Sequence, residues 1–470
     1  MGEKRRERLH PIFAGTAAHR GWTTAQTMGL ICLVLIACAT ALVRPMLASF
    51  LILAIQIAYV GVATWRLALL AGSQRPDPAF QDMRPWPPYT IVAALYDEAA
   101  VVGQLVQRLG RIDYPVDRLD GWLVLEEDDQ ATLDAARALV LPSWLQILVV
   151  PPGAPATKPR ALNHALAVAR GEYLAVYDAE DDPHPQQLKE AASRFSASDH
   201  RLACLQAPLR VRFSERSRSP FLDRQYAAEY AALFEVILPA MARMGLPFPL
   251  GGTSNHLRVS ALQHVGGWDA WNVTEDADLG FRLARAGWRS GVIARPTYET
   301  PPGALRHWLP QRTRWLKGYL QTLAVHSRDW RGMGCRGWIG LHGMISVTLT
   351  SSAMHAVTVT AVLNALLIAA LSRDAPALPA FGLSVLLLGS AAAWLTAAVG
   401  ARRAGLDYRL RDMATTPFYW SLLTLAFAHA LVRVIVEPYR WDKTSHAPDQ
   451  ALDINASQAG HAAVAGREPA

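Results

Sequence analysis

Residues 173–181 read YLAVYDAED, a short apolar run that ends in three carboxylates. The run Leu174–Tyr177 is rich in β-forming residues, so it predicts a buried strand with these acids at its carboxyl end. In an open α/β sheet, ligands bind beyond the carboxyl ends of the strands. Asp178 and Glu180 can there reach one hard divalent cation, which prefers oxygen ligands and would also hold a diphosphate. An ordinary polar turn explains the same residues, and this stretch alone leaves both interpretations open.

On both sides of this stretch, β-rich runs alternate with helical runs from about residue 89 to residue 300. This alternation predicts an α/β domain with a largely parallel sheet. The predicted strands are Tyr89–Leu95, Trp122–Leu125, Leu145–Val150 and Leu174–Tyr177, and the predicted helices are Ala99–Leu109, Ala131–Leu139 and Gln186–Phe195.

Further carboxylates follow one of these strands and precede a later helix. Residues 126–129 read EEDD directly after the predicted strand Trp122–Leu125, although a solvated charge run would look the same. Glu275 and Asp276 come just before the helical run Ala277–Ala286. Acidic residues are also favoured there by the helix dipole, so an ordinary helix start is the competing interpretation.

A fourth candidate element begins at Pro310, a favourable first residue of a helix. Apolar side chains recur at helical spacing beyond it, which predicts an amphipathic helix on the membrane surface over residues 310–326. The flat face of Trp315 can stack on a sugar ring, and the planar fork of Arg314 can pair with phosphate oxygens. A packing or interfacial aromatic is the alternative role for Trp315.

Apolar segments flank the α/β region. Hydrophobic residues make up 51% of the chain and charged residues 18%, which favours membrane spans joined to a water-soluble part. Runs 27–43 and 46–70 predict a hairpin of two transmembrane helices within 24–72, although Ala39-Thr40-Ala41 also resembles a signal-peptidase site. A C-terminal set of transmembrane or interfacial helices is predicted over 336–437, in segments at about 339–371, 377–400 and 414–436. The side of the membrane that holds the C-terminus is left open.

Charge indicates how the chain is oriented. The net charge is +7, and basic residues cluster beside apolar segments, as in the tail 1–23 and near Arg402 and Arg403. This pattern predicts that the basic tail and the α/β domain are cytosolic. No nucleic-acid motif is visible, so no nucleic-acid partner is expected. The four cysteines form no CxxC pair, which suits a reducing compartment. Residues 447–470 lack periodicity and are predicted to be disordered.

Taken in order, these motifs resemble those of the family 2 glycosyltransferases over about residues 85–440. The similarity is to the polysaccharide-synthase branch with cellulose, chitin and hyaluronan synthases, and most of all to bacterial membrane enzymes of the XagB-like type. The motifs that carry it are Tyr96-Asp97-Glu98, Asp128-Asp129, Lys158–Asn163, Asp178-Ala179-Glu180, Gly251–His256, Thr274-Glu275-Asp276, and Gln311 with Arg314-Trp315.

The sequence departs from the family pattern at two positions. Glu180 stands where the family usually has Asp, and Asp97 stands where Asn is common. The longer arm of Glu180 can still ligate a metal, and Asp181 is an additional candidate ligand. Residues 441–446 lie near the place of a substrate-gating loop in cellulose synthases, and a plain juxtamembrane segment is the alternative.

The resemblance implies a GT-A-like (Rossmann-like) α/β domain over about 85–330, inserted between transmembrane helices, with inverting chemistry. By position, Asp276 would be the general base, with Glu275 as its catalytic neighbour, and Asp178 and Glu180 would hold Mg²⁺ or Mn²⁺ on the diphosphate. The implied substrate-binding residues are Glu98, Asp128 and Asp129 at the uridine or base, Lys158 at the donor, Gln311, Arg314 at the pyrophosphate, and Trp315 at the acceptor sugar.

The expected function is transfer of a hexose from a nucleotide sugar, a UDP-sugar, to a growing polysaccharide or a lipid-linked acceptor. The expected location is the inner (cytoplasmic) membrane, in a multi-pass protein that can have exopolysaccharide-export partner subunits. Single addition to a lipid and a non-catalytic scaffold in an export complex are the alternatives. A glycoside hydrolase with a carboxylate pair is an alternative from another enzyme class, and such enzymes need no diphosphate-binding metal and no cytosolic membrane setting. The sugar and the linkage stay open.

Overall fold

The computed structural model describes residues 17–43, 45–213, 219–329, 331–371 and 380–441. The predicted basic tail before residue 17, the predicted disordered segment 447–470 and residues 442–446 of the gating-loop comparison lie outside these ranges. The seven-stranded central sheet has the order β3-β2-β1-β4-β8-β6-β9. Its strands are β1 Tyr89–Leu95, β2 Leu119–Glu126, β3 Leu145–Val150, β4 Tyr173–Tyr177, β6 Leu202–Gln206, β8 Asn255–Arg258 and β9 Arg289–Val292.

The prediction of a largely parallel sheet is confirmed. Strands β1 to β4 pair in parallel, and so do β6 and β9. Only β8 runs antiparallel to both of its neighbours, β4 and β6. A second sheet of three short strands has the order β5-β10-β7 and was not predicted. Its strands are β5 Asp182–Pro183, β7 Leu209–Val211 and β10 Thr297–Glu299.

Helices cover both faces of the central sheet. Alternation along β1 sends Ile91 and Ala93 to one face and Val92 to the other, as a buried parallel strand requires. One face is covered by α3 Val102–Leu109, α4 Gln130–Arg137 and α6 Gln187–Ala197. The other face is covered by α5 Lys158–Val168, α7 Pro220–Ala232, α8 Leu238–Arg243, α9 Val259–His264, α10 Glu275–Arg285 and α11 Leu305–Ser327.

Helix α11 corrects the predicted start at Pro310. The helix begins five residues earlier, at Leu305, and Pro310 lies inside it. The additional turn is held by Trp308, whose side chain is fully buried and donates a hydrogen bond from Nε1 to the Tyr419 hydroxyl over 3.3 Å. Burial of this large ring outweighs the backbone hydrogen bond that the proline cannot donate.

Long helices precede and follow the α/β domain. The N-terminal pair is α1 Thr24–Val43 and α2 Pro45–Gly72. The C-terminal set is α12 Gly334–Leu341, a π-helical turn at His342–Ser346, α13 Val347–Leu371, α14 Ala380–Ala404 and α15 Leu410–Val436. The predicted segment 339–371 is part of one helical run from Gly334 to Leu371.

Three of the described helices are long and apolar enough to cross a membrane, one N-terminal and two C-terminal. They are Leu53–Gly72 in α2, Gly382–Ala404 in α14 and Leu410–Val436 in α15. Helix α2 packs along α14, and α13 packs along α15. The α/β domain meets them through α7 and α11, which pack against α14 and α15 respectively. The chain is thus a membrane protein with a mixed α/β domain between apolar helices.

Candidate active site

A cleft of about 590 Å³ opens at the carboxyl ends of β1, β2 and β4 and extends to α11. Ten of the eleven site residues predicted from the sequence line it. They are Glu98, Asp128, Lys158, Asp178, Glu180, Glu275, Asp276, Gln311, Arg314 and Trp315. These residues are spread over more than 200 positions of sequence. Parallel strands end at this edge of the sheet, and α10 and α11 bring their residues to the same cleft.

Asp129 is the exception. It is the N-cap residue of α4, where its carboxylate accepts hydrogen bonds from the Thr132 backbone N–H at 3.2 Å and from the Asp97 backbone N–H. Capping is a common role for Asp at this position. Asp128, one residue earlier, faces the cleft together with Tyr96. Of this carboxylate pair, only Asp128 faces the cleft.

Lys158 joins two parts of the cleft floor. Its ammonium group donates to the Asp178 carboxylate and, over 2.7 Å, to the carbonyl of Gly252. Burial alone would lower the pKa of Lys158, but Asp178 and the nearby Glu275 raise it above its ordinary value. The side chain is therefore a fixed positive charge next to the strand-end acids, well placed to face a phosphate.

Asp181 is held within the turn that follows β4. Its Oδ2 atom accepts the Asp178 backbone N–H at 2.7 Å and the Thr253 hydroxyl, and the side chain is fully buried. Burial raises the pKa of Asp181 well above its ordinary value, and the charge of Asp178 adds to the rise. Asp181 thus shapes the loop that presents Asp178 and Glu180, and it does not line the cleft.

Glu299 is a cleft residue that sequence reasoning missed. It ends β10 and is 8% exposed, and its Oε1 atom has no hydrogen-bond partner among the described residues. Burial, together with the charge of Glu180, raises the pKa of Glu299 to about 8. No motif signals this residue, because only the pairing of β10 with β5 and β7 brings it to the cleft.

The carboxylates around Asp178 are the candidate ligands of a divalent cation in the cleft. Within the part of the chain that the structure describes, no three Asp, Glu, His or Cys side chains converge as a ready-made metal site. Mg²⁺, however, is commonly held by one or two carboxylates together with substrate phosphates and water. Burial raises the pKa of Glu299, and the charges of Glu180 and then Asp178 add to the rise, so these three carboxyl groups lie close to one another. A divalent cation brought in with a diphosphate fits this donor set.

Glu275 and Asp276 form the first turn of α10, behind the N-cap residue Thr274. Burial raises the pKa of Glu275 to about 8, and the charge of Asp276 adds to the rise. Burial also raises the pKa of Asp276, whose Oδ1 atom accepts the Ala277 backbone N–H at 2.8 Å. A Cβ atom at Gly252 would lie 3.5 Å from Asp276 Oδ2 and 4.0 Å from Asp178 Oδ2. The backbone of Gly252 therefore lies between the two carboxylates.

Helix α11 supplies the wall of the cleft nearest the membrane helices. Arg314 donates to the carbonyl of Val273 over 3.2 Å, and its guanidinium lies 4.6 Å from the ring centre of Trp441. The ring centre of Trp315 lies 6.1 Å from that of Tyr230 and 4.3 Å from the guanidinium of Arg312. This end of the cleft is aromatic, and its opposite end is acidic.

Comparisons with known proteins agree with this architecture. Residues 173–428 match the family profile described as glycosyl transferase family group 2, and residues 90–237 match that of glycosyl transferase family 2. The chain belongs to the family 2 glycosyltransferases. The first match covers more than half of the chain, from β4 into the last apolar helix.

Two curated relatives illustrate the range of the family. The chain is 31% identical over 266 residues to the β-monoglucosyldiacylglycerol synthase of Synechocystis sp., covering 54% of this chain and 52% of the relative. It is 27% identical over 308 residues to the UDP-forming cellulose synthase catalytic subunit of Xanthomonas axonopodis pv. citri, covering 65% of this chain and 40% of that protein. The chain thus spans about half the length, or less, of these relatives.

A solved structure with a similar fold is the mannosyltransferase PcManGT of Pyrobaculum calidifontis, determined in complex with GDP-mannose and Mn²⁺. The TM-score is 0.54 at 18% identity, over 82% of this chain and 98% of that one. This likeness shows that the family 2 domain has a GT-A-like fold, as the sequence motifs had predicted.

Proposed function

We propose that this chain is an inverting, metal-dependent hexosyltransferase that moves a sugar from a nucleotide sugar to an acceptor hydroxyl at the membrane. The observation that carries the proposal is the single cleft that collects the motif residues of a family 2 glycosyltransferase beside the apolar helices. Glycosyltransferases of this class combine a base, a diphosphate site and an acceptor platform. The cleft offers a candidate for each.

Asp276 is the proposed base. It takes the proton of the acceptor hydroxyl while that oxygen attacks the anomeric carbon from the face opposite the diphosphate. The bond from the anomeric carbon to the diphosphate breaks, and the leaving group keeps the electron pair. The configuration therefore inverts, so an α-linked donor gives a β-linked product. Burial raises the pKa of Asp276, which makes its carboxylate a stronger base. A base is most effective when its pKa lies near the pH at which the enzyme works.

The diphosphate is proposed to lie between the strand-end acids and α11. Asp178 and Glu180 would hold Mg²⁺ or Mn²⁺ there, which supplies positive charge to the departing diphosphate. Lys158 and Arg314 add fixed cations on two sides of the same cleft. Glu98 and Asp128 are the proposed contacts of the uridine or base, and Gln311 extends the donor site along α11. Trp315 is the proposed platform for the acceptor.

A UDP-sugar is the proposed donor, supported by the name of the UDP-forming cellulose synthase relatives. For the acceptor, the relatives name two classes, a diacylglycerol and a cellulose glycan. We place the catalytic domain in the cytosol at the inner membrane, because basic residues flank the apolar helices on the domain side. Exopolysaccharide-export subunits are the proposed partners if the acceptor is a glycan.

The test is release of nucleoside diphosphate by the full chain in membranes, from a panel of UDP- and GDP-sugars with Mg²⁺, Mn²⁺ or EDTA. We expect release from one UDP-sugar that depends on the metal and stops with EDTA. The proposal would be contradicted if the folded protein released diphosphate from none of the donors when acceptors of both classes were supplied. That outcome would favour the scaffold alternative.

A further inference from the structure

A second cavity, of about 750 Å³, adjoins the catalytic cleft on the side of the apolar helices. Its walls come from both pairs of helices, α2 with α14 on one side and α13 with α15 on the other. Most lining side chains are aliphatic or aromatic. The volume falls within the range of about 300–1,000 Å³ that is typical of small-ligand sites. The cavity thus has the size and the surface of a site for an apolar molecule.

The two cavities share a wall. Tyr230, Leu233, Trp315 and Tyr319 line both of them. An elongated molecule in the apolar cavity can therefore present one end beside the Trp315 platform of the cleft. At the other end, Ile55 of α2 lines the cavity and is 39% exposed on the outer face of the helices. The cavity thus extends from the catalytic cleft to the surface that would face lipid chains.

Two π-helical turns border the cavity. One is Leu233–Ile237 at the end of α7, and the other is His342–Ser346 before α13. Leu233, Ile237, Gly343 and Met344 all line the cavity. Trp65 of α2 reaches the second turn and donates from Nε1 to the carbonyl of Gly343 over 2.9 Å. Single π-helical turns inside α-helices are frequent at functional sites.

Polar side chains also line the cavity, and three of them are charged: Arg66, Glu229 and Arg312. Glu229 pairs with Arg312, with 3.0 Å between Arg312 Nη1 and Glu229 Oε1, and it accepts a hydrogen bond from Tyr419. Arg66 lines the same cavity and is attracted by Glu229, but it donates no hydrogen bond to any residue that the structure describes. It lies six residues before the end of α2 at Gly72, or about 9 Å along the helix. Arg66 therefore lies within the apolar span Leu53–Gly72, in the part of it that is nearest in sequence to the α/β domain.

We propose that the acceptor is a membrane lipid with a free hydroxyl beside ester carbonyls, and that this cavity binds its apolar chains. The inference rests on the proposed function and names its acceptor class. The ester carbonyls accept hydrogen bonds from Arg66, and the hydroxyl reaches the cleft past Tyr230 and Trp315. The lipid oxygen bonds to the anomeric carbon, its proton passes to Asp276, and the nucleoside diphosphate leaves. A hydroxyl acceptor needs such a base, whereas a phosphate acceptor is already an anion at neutral pH.

Glycine positions in the apolar helices allow a matched pair of variants. Gly389 in α14 lines the cavity, and an added Cβ atom there meets no atom within 4 Å. Gly61 in α2 has the same open surroundings but does not line the cavity. Replacing a helical glycine does not weaken the helix, since glycine is a poor helix former. Gly389→Phe therefore fills the cavity, and Gly61→Phe is its control.

The experiment uses the full chain in phosphatidylcholine vesicles with or without dioleoylglycerol, supplied with the labelled donor sugar and the metal. We expect label in the chloroform-extractable fraction that requires dioleoylglycerol. Gly389→Phe should lower this transfer by roughly tenfold, equivalent to about 1.4 kcal/mol, and Gly61→Phe should leave it within about twofold. Arg66→Gln should raise the KM for dioleoylglycerol, and nucleoside diphosphate affinity should stay unchanged in all three variants.

Other outcomes separate the two proposals. Label in an ethanol-precipitable glycan, or transfer only when a polyprenyl phosphate replaces dioleoylglycerol, would overturn the lipid-hydroxyl acceptor and leave the transferase function standing. Equal loss in Gly389→Phe and Gly61→Phe would also overturn it. Failure of the proposed function has a different signature, because no donor would then release diphosphate in any vesicle.

Discussion

Asp276 lies in the first turn of α10, and its carboxylate faces the cleft across from Asp178. Asp276→Asn keeps the size of the side chain but removes its ability to take a proton. We expect kcat to fall by roughly 10²–10⁴, the usual contribution of a general base. Affinity for the nucleoside diphosphate should change little, as measured by titration calorimetry. The exposed Asp134 offers the control Asp134→Asn, and near-normal turnover in Asp276→Asn would show that another group is the base.

Asp178 is the strand-end acid that Lys158 contacts directly. Asp178→Ala removes one proposed metal ligand and leaves Lys158 without this partner. The affinity for UDP in the presence of Mg²⁺ or Mn²⁺ should weaken by roughly tenfold or more, the scale of losing a charge-assisted contact. Affinity measured in EDTA should differ much less between the variant and the parent. Equal UDP affinity of both proteins with Mg²⁺ present would remove Asp178 from the diphosphate site.

The packing of α10 against α11 positions Asp276 relative to the other side of the cleft. Gly318 of α11 faces the N-cap residue of α10, and a Cβ atom at Gly318 would lie only 2.2 Å from Thr274 Oγ1. The two helices can approach this closely only because position 318 is glycine. Glu275 and Asp276 follow Thr274 directly, so this contact sets the distance between the proposed base and the Arg314–Trp315 wall.

Gly318→Ala should therefore displace the first turn of α10 by a few tenths of an ångström or more. We expect a decrease in kcat of roughly tenfold to 10²-fold, because small misplacements of reacting groups are costly. Gly61→Ala is the control, since its added methyl group meets no neighbour within 4 Å. Gly318→Ala should also lower thermal stability in detergent, since an added methyl group in a packed site typically costs about 1–3 kcal/mol, whereas Gly61→Ala should not. An unchanged kcat in Gly318→Ala would mean that α10 can adjust without cost.

At the scale of the whole molecule, a buried histidine couples the stability of the sheet to pH. His256 in β8 is fully buried, with Nδ1 2.7 Å from the Tyr89 hydroxyl and Nε2 3.1 Å from Gln187 Oε1. These contacts suit a neutral ring, in which Tyr89 donates to Nδ1 and Nε2–H donates to Gln187. Burial lowers the pKa of His256 from its ordinary 6.5 to about 3.

The sign of the effect follows from this lowered pKa. Between pH 6.5 and about pH 3, the unfolded chain binds a proton at His256 and the folded chain does not. The free energy of unfolding therefore falls as the pH falls through this window, by up to about 1.4 kcal/mol per pH unit. Chemical denaturation in detergent between pH 7 and pH 5 should show a shallower loss in His256→Gln than in the parent.

The control is the exposed surface residue His264. His264→Gln should follow the pH dependence of the parent. Identical slopes for His256→Gln and the parent would show that this ring is not the source of the pH dependence.

Local patterns in the sequence determined much of the α/β domain. The predicted bounds of β1 and β3 match the structure, and the strand-end acids Asp128, Asp178 and Glu180 face the cleft as expected. This part is predictable because alternation and strand-end position depend on neighbours in the sequence, and the parallel sheet then brings those ends together. The order of the motifs along the chain also indicated the glycosyltransferase family.

Only the tertiary structure decided the remainder. Glu299 reaches the cleft through pairing of three short strands, and Asp129 turns from the cleft because it caps α4. The apolar cavity and its isolated Arg66 arise between helices that are far apart in sequence. No periodicity or motif in the sequence signals these features, since they depend on which strands and helices pack together and how closely. The sequence therefore determined the fold of the domain and its family, whereas the packing of the apolar helices forms the cavity that we propose for the acceptor.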